Sequence, residues 1–193
     1  MQAFVHERLR VLQRLQARSS EVLAKYNRLD LDLATALTDL LDEAIAGFHA
    51  LGRASNENQL LALKAQFVSA QQGTHPITLE RVTGHRRELQ RAIALQVLLR
   101  SAELLRADIA RDSQALDDAR GQLRTIVLLA LREGLLPLKA RRPPSQRQLD
   151  TLWRNLLRAP DIQLAARQLA MQLSAYDIQL LLAELILALQ PPA

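Results

Sequence analysis

The sequence predicts an all-α protein: an elongated helical bundle with long antiparallel helices and a small C-terminal three-helix module. Three observations carry this expectation. Val5, Leu9, Leu12, Gln16, Ser19, Leu23, Tyr26, Asp30, Leu33, Leu37, Leu40, Ala44, Gly47 and Leu51 follow one another in alternating steps of four and three, the spacing of a single face on a long, coiled-coil-like helix. Hydrophobic residues make up 49% of the chain while aromatics make up 3%. Leu and Ala dominate that apolar share, and both favour helix, whereas strands draw on β-branched and aromatic residues. Finally, β-branched residues are few, and Gln, Arg and Glu, which also favour helix, fill many of the polar positions.

The first segment, from about Gln2 to Leu51, would reach about 70 Å if unbroken. Asn27 or Asp30 is placed to cap a fresh helix, so a kink or a two-helix hairpin at 27–30 is the alternative to one continuous rod. The face is polar at Gln16, Ser19 and Asp30, positions a pure zipper tolerates only at a cost. They are expected to mark looser packing or the entry of another chain.

Gly52 to Asn56 reads as a turn, followed by a shorter amphipathic helix through Leu60, Leu63 and Phe67. Gln71 to Pro76 is the clearest loop. Thr78 is read as the cap of the next helix, which carries Val82, Leu89, Leu98, Leu105, Leu116, Leu123 and Ile126 and ends at Gly134. It is either one element from 79 to about 133 or two elements broken near Asp112-Ser113. The organisation that follows is a long-helix bundle over 1–136, a basic, Pro-containing linker over 137–147, and a helical module over 148–193. In that module Ser145 is expected to cap one helix, Pro160-Asp161 to open a second, and Ser174-Ala-Tyr-Asp177 to open a third in capping-box form, with Asp in place of Glu.

The net charge is +5, and 22 Arg stand against 3 Lys. Most of the arginines alternate with acids, as on an ordinary solvated surface. Two groups are denser: Arg81, Arg86, Arg87 and Arg91 on the helix, and Lys139, Arg141, Arg142 and Arg147 in the linker, which holds no acid. Guanidinium groups at such density suit phosphate or carboxylate, so Arg81, Arg86, Arg87, Arg91, Arg141, Arg142 and Arg147 are the candidate interaction residues. Neither group carries the aromatics that stack on single-stranded bases.

Chemistry-bearing motifs are sparse. The chain has no cysteine, which removes disulfides, thiolate metal sites and cysteine nucleophiles. His6, His49, His75 and His85 have no helical ligand spacing and no Glu-x-x-His occurs, which argues against a di-iron bundle. The glycines form neither a P-loop nor a dinucleotide fingerprint. No apolar run reaches the length of a membrane span, and charged residues occupy the N-terminal stretch where a signal peptide has its apolar core. The expectation is a cytoplasmic, non-enzymatic adaptor, scaffold or complex subunit without cofactor or metal. It would work through protein partners and self-associate, with a dimer favoured. A nucleic-acid-binding subunit using the arginines is the alternative.

Overall fold

A computed structural model describes residues 4–82, 84–135 and 144–189. Among these the fold is all-α, with seven helices: α1 (Val5–Arg28), α2 (Leu33–Ala50), α3 (Ala54–Gln71), α4 (Arg86–Arg132), α5 (Gln146–Leu156), α6 (Pro160–Gln172) and α7 (Ala175–Ala188). No helix in this set is long and apolar enough to cross a membrane.

The opening rhythm is split between two helices. The chain turns at Leu29, whose φ of 62° is left-handed, and Asp30 N–H closes back on the Lys25 carbonyl at 3.1 Å. This is the Schellman ending, with leucine where glycine is usual. At the end of α2, Gly52 holds the same position with φ 67°, and Arg53 N–H bonds to the Phe48 carbonyl at 2.9 Å. Past the first turn α2 runs back along α1. A Cβ added to Gly47 would sit 3.1 Å from Leu15 and 3.6 Å from Val11, so the missing side chain permits the close approach. Lys25 pairs with Asp32 across the turn. That side-chain hydrogen bond, against a smaller effect of burial, holds the Asp32 carboxyl below its usual value.

The rhythm nonetheless reads burial correctly on both helices. Leu9, Leu12 and Ser19 are buried on α1, and Leu37, Leu40 and Ala44 on α2. Of its polar positions, Ser19 is 4% exposed and Asp30 belongs to the turn. The expected opening in the packing is therefore absent at Ser19, and at Asp30 the chain reverses instead.

The chain divides into two compact units. In the first, residues Arg8–Arg111, helices α1 to α3 and the start of α4 share one core. Leu12, Leu15 and Val22 meet Leu37, Leu40, Leu41 and Phe48, Leu60 and Phe67, and Val97, Leu98 and Leu105. Lys64 pairs with Asp42 between the antiparallel α2 and α3. The second unit holds Phe4–Glu7 and the residues from Asp112 onward. Its buried set draws on α4 (Leu116, Leu123, Ile126), α5 (Leu149, Trp153, Leu156), α6 (Ile162, Leu169) and α7 (Ile178, Leu181, Leu182).

Two expectations about α4 are settled. It is continuous through Asp112, because Ala94, Leu98, Ser101, Leu105, Asp108, Asp112, Leu116, Ala119, Leu123, Ile126 and Ala130 form one buried stripe along it. Steps of three and four alternate, with a single four–four step from Asp108 to Leu116. The helix does not begin at Leu79. It begins at Arg86, after Leu79 and His85 adopt left-handed φ values of 59° and 51°. Val82 and Leu89 lie one heptad apart, which mimicked a helix, but the left-handed His85 stands between them. The division between the two compact units falls between Arg111 and Asp112, within α4, and residues 137–143 of the linker expected at 137–147 lie outside the described set.

Replacing Leu29, which is 59% exposed, with Gly removes the left-handed strain and little packing. Leu29→Gly is expected to stabilise the protein by about 0.5–1 kcal/mol. Urea denaturation checks this, and a lowered midpoint would show that the turn is not strained.

Candidate interaction surface

Between α3 and α4 the chain forms a small closed loop. Thr74 and Arg81 make an isolated antiparallel bridge. His75 N–H bonds to the Glu80 carbonyl at 2.9 Å and Val82 N–H to the Gly73 carbonyl at 2.9 Å. Inside the loop the His75 ring accepts the N–H groups of Ile77 (3.3 Å) and Thr78 (3.2 Å) on Nδ1, in the manner of an Asx turn. The main chain is therefore bonded to itself, while the side chains at its apex face solvent. Ile77 is 79% exposed and Leu79 74%. Leu79 also holds a left-handed backbone, which costs a β-carbon residue about 1–2 kcal/mol. No burial within the described chain offsets that cost.

The arginines singled out from sequence have different fates. Arg86 donates from Nη2 to the Gln71 carbonyl at 2.5 Å and covers Gly73, whose added Cβ would lie 3.0 Å from the guanidinium Nε. It closes the C-terminal end of α3, where a cation also meets the negative end of the helix dipole. Gln90 assists by donating to the Ala70 and Gln71 carbonyls at 3.2 and 3.1 Å. Arg91 lies over the Tyr26 ring, 5.0 Å from its centroid, a cation–π contact with α1. Arg81 and Arg87 are exposed. Arg147 is exposed in the first turn of α5, within the second unit. Arg141 and Arg142 lie outside the described residues.

Asp177 and Asp108 are buried carboxylates that were not singled out as sites. Asp177, fully buried at the start of α7, accepts Val5 N–H at 3.0 Å and His6 N–H at 3.1 Å. It also accepts the Ser174 hydroxyl at 2.8 Å and meets His6 Nδ1 at 2.6 Å. Ser174 caps α7 as predicted, with Asp177 N–H donating to its Oγ at 3.0 Å. The carboxylate, however, does not complete that box. It caps the first turn of α1 instead, satisfying donors that a helix start leaves unpaired. Phe4 and Tyr176 stack beside it with centroids 4.9 Å apart. Burial pushes the Asp177 carboxyl up, but the bonds from His6, from the two backbone N–H groups and from Ser174 together bring it below its ordinary value.

Asp108 on α4 is 1% exposed. It lies 3.0 Å from Arg111 Nη1 and 3.6 Å from Arg53 Nε, and neither of its oxygens meets hydrogen-bond geometry. Arg53 and Arg111 both reach solvent, with side chains 25% and 60% exposed.

The first unit also carries an open groove of about 410 Å³ between α3 and α4, with Leu63 and Leu104 on its floor and Gln59, Gln66, Gln96 and the Arg100–Glu103 pair along its sides. Among the described residues no group of three or more His, Cys, Asp or Glu is placed to hold a metal ion. No family model matches this chain, and neither does any curated protein or solved structure.

Asp177 and Asp108 should respond differently to removal. Asp177→Ala leaves two backbone donors and a half-buried hydroxyl without their acceptor, and is expected to cost about 2–4 kcal/mol. Its stabilisation is complete above the ordinary aspartate value of about 3.9 and is lost as pH falls through the lowered folded-state value. The wild-type acid limb should therefore flatten in Asp177→Asn. Asp108→Leu strands no buried cation, because both arginines reach water, and should change stability by less than about 1 kcal/mol. Denaturation at neutral and acid pH measures both, and equal losses would contradict the contrast.

Proposed function

We propose that this protein is a non-enzymatic helical adaptor or small complex subunit of the cytoplasm that acts through protein–protein contacts and pairs with a second copy of itself. The observation that carries the reading is the outer face of α6. Its inner face buries Ile162, Ala166 and Leu169, yet Leu164 and Met171, two turns apart, are 73% and 88% exposed. Arg167 and Gln168 lie between them, so a partly apolar stripe flanked by one arginine runs along the helix. Single exposed aliphatics are ordinary, but a helix apolar on two opposite sides is suited to packing on both. Methionine adapts to irregular partner surfaces.

The alternative, a nucleic-acid-binding subunit, has less support. Arg86 and Arg91 already serve Gln71 and Tyr26, and residues 77–91 contain no Phe, Tyr or Trp to stack on bases.

Mass in solution, by light scattering or sedimentation equilibrium, tests the proposal. The wild type is expected to be dimeric, and Leu164→Glu with Met171→Glu monomeric at unchanged thermal midpoint. A monomeric wild type at concentrations of about 0.1 mM, or a dimer indifferent to both substitutions, would reject α6 as the contact.

A further inference from the structure

The geometry points to the loop between α3 and α4 as a docking element for an anionic membrane surface, with Ile77 and Leu79 entering the lipid and Arg81 and Arg87 meeting the headgroup phosphates. Three observations combine. The apex is apolar and exposed, Ile77 at 79% and Leu79 at 74%. It is held in shape by its own backbone bonds and the His75 ring, so little freedom remains to be lost on docking. Its base is cationic, with Arg81 and Arg87 exposed. Between residues 77 and 91 four arginines stand against Glu80 and Glu88, and Glu88 is already paired with His85 at 3.1 Å.

Charge complementarity selects the occupant. A nucleic acid backbone would engage the guanidinium groups and gain nothing from the two aliphatic side chains. A bilayer of negative surface charge takes both, with aliphatic carbon in the acyl boundary and guanidinium at the phosphates. The left-handed Leu79 fits the same account, because its strained backbone presents an apolar side chain that nothing in the described chain covers. This surface belongs to the first unit and the α6 face to the second, so neither proposal stands on the other.

Co-sedimentation of the full chain with vesicles is the test. One set is phosphatidylcholine alone and the other contains about one third phosphatidylserine. The protein is expected to pellet with the anionic vesicles at about 50 mM salt, to remain free with the neutral ones, and to be released at about 0.5 M salt. Ile77→Ser with Leu79→Gly should weaken binding roughly tenfold or more. Glycine suits the left-handed position, so the fold is kept and circular dichroism should be unchanged. Arg81→Glu with Arg87→Glu should abolish the preference for anionic lipid. Failure to pellet with anionic vesicles at low salt overturns the proposal, as does pelleting that ignores Ile77→Ser with Leu79→Gly. Binding to duplex DNA in place of vesicles, sensitive to the arginine pair but not to the aliphatic pair, assigns the cluster to nucleic acid and likewise overturns it.

Discussion

The stripe along α4 is the constraint on which the structure rests. Forty-seven residues form one helix, and buried positions recur along it at steps of three and four. Residues from Ile93 to Leu105 complete the core of the first unit, and residues from Leu116 to Ala130 lie in that of the second. Apolar burial drives both, at about 25 cal/mol per Å² removed from water. The four–four step between Asp108 and Leu116 shifts the phase of the pattern. The two compact units divide at 111/112, within that step.

Carboxylates occupy the places where apolar packing gives way. Asp177 is fully satisfied by four donors and serves two helices at once, opening α7 and capping α1. Asp108 is held by charge without directed hydrogen bonds. A buried carboxylate with good geometry repays its desolvation, and one without it contributes little. The difference lies in the donors, since both side chains are equally buried.

Exposed apolar side chains stand at the apex of the 74–82 loop and on the outer face of α6, as they do at Leu29 and Leu31 in the turn between α1 and α2. Around the loop the arginines divide their work. Arg86 and Arg91 tie α4 to α3 and α1, while Arg81 and Arg87 remain at the surface. An arginine cluster in sequence is therefore partly a structural device, because guanidinium bonds helix carbonyls and stacks on aromatic rings as readily as it meets phosphate.

The sequence by itself determined the helical class, the buried faces and most helix ends. Period and composition act locally, so Leu12, Leu37, Leu105 and Leu123 could be assigned to cores without knowing their partners. Capping is also local, which is why Ser145 and Ser174 were legible as helix starts. Tertiary structure alone decided the rest. The four–three rhythm is the same for a rod and a hairpin, and the turn at Leu29 was chosen by a left-handed backbone that leucine does not advertise. Thr78 has the chemistry of a cap, yet Leu79 and His85 leave helical geometry, and the loop closes on itself through Thr74 and Arg81. Asp177 has the spacing of a capping box, but Val5 and His6 reach it from the far end of the chain. A side chain that can satisfy either a neighbour or a distant donor carries no local mark of which one it serves, because the choice is made by packing.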